Sequence, residues 1–273
     1  MILEPYFYLI AILSVFLHGM GKGGFIGAGS FGSLLAIPML SIFIPPFQAV
    51  AILLLPLIFM DLVTVWRYRR MWDVKILKFI VPLAFFGIIV GTLSFSYLSE
   101  DSVRVIIGLM AVIFCLDYYL RKNSAEPQKP SLWGSYFWPS LSGFTSFSIH
   151  AGGLPLSFYL LPMRLDRRIY VATAGLFYLL INLFKIFPYA YLGQMNFQNI
   201  YTSLLLLPLA PIGVYAGAYL VDKINQDWFY RIGYFCTLIA GLKLVYDGLQ
   251  SYCLLYTSPS PRDSRVSRMP SSA

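Results

Sequence analysis

Two glycine-rich segments hold most of the chemistry this chain can offer. The first is Gly19-Met20-Gly21-Lys22-Gly23-Gly24-Phe25-Ile26-Gly27. Glycine lets a backbone unwind and brings its amides close to a ligand. A helix restarting after such a break aims N–H groups and its positive dipole end at it. Lys22 adds a whole positive charge, which at membrane depth marks an ion or substrate path. The plainer alternative is a tight helical hairpin whose tip reaches water, with Lys22 snorkelling. A soluble phosphate loop is excluded, because no strand precedes these glycines and their spacing is wrong.

The second segment is Ser142-Gly143-Phe144-Thr145-Ser146-Phe147-Ser148-Ile149-His150-Ala151-Gly152-Gly153-Leu154-Pro155. It offers hydroxyls, an imidazole and backbone amides, and no carboxylate. Donors without acceptor charge suit an anion. His150 can carry a proton near neutral pH and so couple proton movement to that anion; the alternative is a histidine merely hydrogen-bonded in a polar pocket. His18 is a weaker candidate of the same kind. Asp61 and Asn182 occupy related places in the two halves of the chain. Asp61 can pair with Lys22, take a proton, or face the basic loop beginning at Arg67. Lys185 lies about 24 Å along its span from Ile169 and is expected to snorkel at the outer interface. The expected substrate contacts are Gly21, Lys22, Gly23, Gly24, Ser146, Ser148, Gly152, Gly153 and Asn182, with His150 and Asp61 as proton carriers.

The composition sets what must position these residues. Of 273 residues, 58% are hydrophobic and 12% charged, about half the usual soluble share of charge. That excludes a soluble enzyme, a nucleic-acid-binding domain and a disordered protein, and leaves a polytopic α-helical membrane protein. The formal charge of +8 does not argue for nucleic acid, because Lys and Arg cluster briefly between apolar runs. Cys115, Cys236 and Cys253 have neither metal nor disulfide spacing, and packing is the expected role of the first two. No nucleophile–His–acid set, metal cluster or nucleotide motif stands out, so neither catalysis nor a cofactor or metal is expected.

Gly23 to Met60 carries no formal charge over 38 residues, about 57 Å as one helix against a ~30 Å hydrocarbon core. It must break, at the glycines, Pro38 and Pro45-Pro46. The expected plan is a broken hairpin over 5–44, then full spans over 47–66, 78–99 and 103–120. A polar linker follows, then a second broken hairpin over 133–163 and spans over 169–188, 200–221 and 229–250. One topology places every basic cluster inside: Arg67 to Lys78, Arg121 to Lys129, Arg164 to Arg168, and Lys223 with Arg231. Three crossings reverse each half, so the halves are related by inversion.

Gly23-Gly24 and Gly152-Gly153 stand 129 apart, while Pro82, Gly87 and Gly91 match Pro208, Gly213 and Gly217 at 126. The fold expected is all-α, a transmembrane bundle of two inverted repeats, each a broken hairpin plus three full spans. Its boundaries are 1–120 for the first repeat, 121–132 for a cytoplasmic linker and 133–250 for the second repeat. Residues 251–273 read as translated adaptor sequence, with a Ser/Pro tail as the alternative.

At these residues the chain resembles the sulfite exporter TauE/SafE family, also called the toluene sulfonate uptake permease family. The resemblance rests on Gly21-Lys22-Gly23-Gly24 followed by Pro38, and on His150-Ala151-Gly152-Gly153-Leu154-Pro155 followed by Tyr159-Leu160-Leu161-Pro162. Asn182-Leu183-Phe184-Lys185 and Pro188-Tyr189-Ala190-Tyr191-Leu192-Gly193 extend it over about 5–250. It implies a multi-pass transporter of the cytoplasmic membrane, built from two inverted repeats, for sulfite, sulfonates or related sulfur-containing or carboxylate anions.

The expected function is a proton-linked secondary transporter, an exporter, that works by alternating access between the broken hairpins. The expected partners are a small anion, the lipid bilayer and a proton, with no nucleic acid. A Na⁺-coupled carrier or channel and a non-transporting membrane scaffold are the rivals.

Overall fold

The computed structural model describes residues 5–25, 36, 40, 43–44, 46–94, 105, 108–109, 111–113, 115–116, 119–120 and 130–257. Among them the regular structure is helical. Helix α1 is Pro5–Lys22, α2 Pro46–Arg67, α3 Val74–Ser94, α4 Leu132–Ile149 and α5 Gly153–Leu160. Then come α6 Arg167–Tyr191, α7 Phe197–Leu206, α8 Leu209–Lys223 and α9 Gln226–Thr257. Gly27, Pro38, eight of the 18 residues of the expected span 103–120 and nearly all of the linker lie outside the described residues. So does the tail from 258 onward; α9 itself runs on to Thr257.

Helices α2, α3, α6 and α9 are long and apolar enough to cross a membrane. The 22 residues of α2 rise about 33 Å, the thickness of a hydrocarbon core. Phe86, Leu93 and Phe187 stand exposed on α3 and α6, as side chains facing lipid tails do. The expected single span 200–221 is instead a pair, α7 and α8, bent by 45°. Pro208 stands at the bend, yet Pro82, at the matching place, lies inside continuous α3. Proline alone therefore does not bend the span. Two hydrogen bonds hold α7 against α2: Ser203 Oγ donates to the Ile52 carbonyl (2.7 Å) and Gln48 Nε2 to Asn199 Oδ1 (3.1 Å).

The helices interlock across the two halves. Helix α1 lies on α8: Gly19 faces Gly213, and a Cβ on Gly23 or Gly217 would strike the backbone of the other helix. Helix α4 lies on α3 in the same manner, where a Cβ on Gly87 would overlap the Ser140 carbonyl and one on Gly143 the Ala84 carbonyl. Small residues allow such close approach where lipid supplies no hydrophobic drive. Both pairs run parallel. Helices α2 and α6 cross antiparallel, with Gly175 on Thr64 and Asn182 on Asp61. Cys115 is buried and its Sγ contacts the Tyr234 carbonyl of α9 at 3.4 Å, the packing role expected of it. Cys236 side-chain packing lies outside the description.

Candidate functional site

The first glycine segment ends α1, and the second separates α4 from α5. After Lys22 the chain turns, with the amides of Gly23 and Gly24 donating to the carbonyls of Gly19 and Gly21 at 2.9 Å. Gly24 has φ +102°, a conformation side chains rarely allow. Two residues from the end of α2 fasten the turn: Thr64 Oγ1 donates to the Lys22 carbonyl (3.3 Å) and Tyr68 Oη to the Gly23 carbonyl (3.2 Å). Burial pushes the Tyr68 phenol up to about 12, so it stays a donor at neutral pH. The second break falls between α4 and α5. His150 caps α4 in the left-handed region at φ 51°, with its amide on the Thr145 carbonyl. That position usually takes glycine; a non-glycine residue there costs about 1 kcal/mol or more and needs its side chain held. Ser142 Oγ donates to the Gly152 carbonyl at 2.7 Å.

Lys22 reaches Asp61. Its Nζ stands 2.7 Å from Asp61 Oδ1, and Asn182 Nδ2 donates to Asp61 Oδ2 at 2.6 Å. The ammonium also lies 4.0 Å over the Tyr178 ring, a cation–π contact. Asp61 is fully buried, where an unpaired carboxylate would be very costly. Of the three roles open to Asp61, the structure displays the pairing with Lys22.

Lys185 departs from expectation. It does not snorkel; it is 0% exposed. Its Nζ donates to the Ser146 carbonyl (2.9 Å), Ser146 Oγ (3.1 Å) and His150 Nδ1 (2.9 Å). Distance along a helix gives depth and not direction, and α6 turns this residue toward α4. His150 Nε2 lies 3.0 Å from the Val50 carbonyl. Nδ1 also lies 3.2 Å from the Ser146 carbonyl; a carbonyl only accepts, so in the tautomer that carries its hydrogen on Nε2 the ring donates to Val50 and accepts from Lys185 at Nδ1. The αL histidine is thereby clamped on both nitrogens.

Ser146 differs from the other hydroxyls of α4. Ser140, Thr145 and Ser148 donate to the carbonyl four residues back. Ser146 Oγ instead accepts from Lys185, and its own hydrogen has no acceptor among the described residues.

These groups surround a cavity lined by His18, Lys22, Leu57, Ser146, His150, Gly153, Tyr178 and Asn182. The free space between them, including the part that opens outward, is about 290 Å³. It sits beside Leu57, midway along α2. His18 Nδ1 and Tyr178 Oη are buried without a hydrogen-bond partner among the described residues. Buried polar groups are normally satisfied, so both have hydrogen-bonding capacity left to offer the cavity.

Of the expected contacts, the structure brings Lys22, Ser146, His150, Asn182 and Gly153 to the cavity, with Asp61 behind Lys22. Gly21 lies in the last turn of α1, Gly23 and Gly24 form the turn against α8, and Gly152 and Ser148 are not among the lining residues. Tyr178, Leu57 and Lys185 were not expected here. A signal for them exists: Tyr178, Asn182 and Lys185 recur at i, i+4, i+7 on an apolar helix, as Ser14, His18 and Lys22 do at i, i+4, i+8. Each set makes one polar stripe facing inward.

The chain thus combines lipid-length helices, two unwound turns and a buried cationic cavity between its halves. No curated protein and no solved structure matches it. Residues 11–244 match the family model described as Sulfite exporter TauE/SafE, and the chain belongs to this family of membrane transporters for sulfite and related anions.

Proposed function

We propose that this protein is a secondary carrier that exports a small sulfur oxyanion, sulfite or a sulfonate, across the cytoplasmic membrane. One observation carries this reading. The cavity presents the Lys22 ammonium, the Ser146 and Tyr178 hydroxyls, His18 and Asn182, while Asp61, the one carboxylate nearby among the described residues, is already engaged by Lys22 and Asn182. A site rich in donors, with its acceptor charge spoken for, favours an anion.

The reciprocal packing of α1 on α8 and α4 on α3 supports two inverted repeats with the site between them. Rocking of one half against the other then opens the cavity to each side in turn. Arg67, Arg168 and Arg231 lie at the end of the bundle assigned to the cytoplasm. His150 and Lys185, sharing a hydrogen bond, are the proposed seat of the coupling proton. In a sodium-coupled carrier the break carbonyls would hold Na⁺. Here the carbonyls of Lys22, Gly23, Gly152 and Gly153 each accept a side-chain hydroxyl, which weighs against that rival.

The test is flux in proteoliposomes holding sulfite or methanesulfonate, driven by a pH gradient or by a Na⁺ gradient. Flux that follows the pH gradient and falls in both Lys22→Ala and His150→Ala supports the reading. Unchanged flux in both variants, or flux driven by Na⁺ alone, overturns it.

A further inference from the structure

We propose that the site selects its anion by valence, accepting singly charged oxyanions and rejecting doubly charged ones, and that Asp61 and Lys185 set this preference. The inference rests on the transport reading above and adds the charge of the substrate.

Three buried charged side chains stand at or behind the wall of the cavity. Lys22 touches the cavity, but its charge is matched by Asp61 at 2.7 Å. Lys185 has no such counter-charge in contact with it among the described residues. Its contacts are a carbonyl, a hydroxyl and an imidazole nitrogen, none of them negative. With the coupling proton on Lys185 and both imidazoles neutral, Lys22, Asp61 and Lys185 sum to one positive charge. That charge is delivered indirectly: Lys185 does not line the cavity, yet Ser146 and His150, its hydrogen-bond partners, do. By occupying the Ser146 lone pair, Lys185 leaves that hydroxyl's hydrogen for the cavity.

A monoanion neutralises this set. Its oxygens meet the Lys22 ammonium, the Tyr178 hydroxyl and the hydrogen of the Ser146 hydroxyl. A dianion leaves one negative charge uncompensated in a buried site, which the low local dielectric makes costly. Asp61 therefore has a second use besides pairing with Lys22: it cancels the charge that would otherwise admit a dianion. Lys185 is a positioning residue here, acting on the ligand through Ser146 and through its field.

The experiment is a competition measurement on the purified full-length chain, with methanesulfonate as a fixed monoanion and sulfate as a fixed dianion. Wild type is expected to prefer methanesulfonate by roughly tenfold or more. Asp61→Asn, which raises the charge count to two, is expected to lower that ratio about tenfold. Lys185→Met lowers it to zero and weakens both anions. The double variant Asp61→Asn/Lys185→Met restores one positive charge and with it the wild-type ratio, which a merely structural role for either residue would not do.

A measurement on wild type alone stands beside these in case a variant fails to fold. Methylphosphonate passes from monoanion to dianion near neutrality, so its affinity relative to methanesulfonate must fall as pH rises across that range. An unchanged anion ratio in Asp61→Asn, no recovery in the double variant, or a pH-independent methylphosphonate ratio overturns the proposal while the transport reading stands. Wild type that binds no sulfur anion at all overturns both.

Discussion

Asp61 and Asn182 stand 121 positions apart in the chain and meet side chain to side chain, Nδ2 to Oδ2 at 2.6 Å. They come from α2 and α6, the first long helices of the two halves, where these cross. An acid faces an amide, so the crossing carries one negative charge, and Lys22 answers it.

Removing one member of that pair should therefore be harsher than removing both. Lys22→Met leaves Asp61 buried without its cation and is expected to cost about 3–5 kcal/mol. Lys22→Met/Asp61→Leu should recover most of that loss. Thermal unfolding in detergent, read as a double-mutant cycle, measures the difference.

Tyr178 separates stability from binding. Its hydroxyl is buried and unpartnered, so Tyr178→Phe removes a desolvated polar group and should leave the melting temperature unchanged or raised. Anion affinity should fall, by about tenfold for one lost hydrogen bond to a charged ligand. A parallel loss of stability and affinity would contradict the assignment.

Two serines two residues apart should behave differently. Ser146 lines the cavity and accepts from Lys185, while Ser148 donates to the Phe144 carbonyl of its own helix. Ser146→Ala is expected to raise the transport KM by about tenfold; Ser148→Ala should match wild type. Initial-rate uptake over a range of anion concentrations decides between them.

The glycine contacts predict paired effects in the two halves. Gly87→Ala would drive a methyl into the Ser140 carbonyl, and Gly217→Ala one into the Met20 carbonyl. Each is expected to cost about 1–3 kcal/mol, seen as a lowered melting temperature. Gly193 has open space around it, yet its φ of +70° makes alanine there a strain effect and not a packing one.

At the basic end, Asp222 of α8 joins both halves. It accepts from Arg67 and Arg168 at 2.8 Å, all three partly exposed. Such exposed pairs contribute at most about 1 kcal/mol, so Asp222→Asn should barely move the melting temperature. Because it ties the ends of α2, α6 and α8, it should change turnover. Transport rate against thermal shift in the same preparation tests this.

The breaks were legible because glycine and proline interrupt apolar runs that are too long to cross once. The spans over 47–66 and 169–188 were legible because apolar length is set by the bilayer. Lys185 was misplaced because its position was measured along the helix; the face it occupies depends on where α4 lies, which is a tertiary fact. The bend between α7 and α8 was missed for a similar reason: Pro82 and Pro208 read alike, and what differs is the pair of hydrogen bonds from α7 to α2. His18 was named as a weaker candidate, and Tyr178 was within reach through the four-residue recurrence of polar groups on apolar helices.

The crossed packing of α1 on α8 and α4 on α3 has a consequence for biosynthesis. The opening helix leaves the ribosome some two hundred residues ahead of the surface it rests against. Until then its glycine face is bare in the membrane. Separately synthesised halves should therefore reach the native state only when made together in one cell.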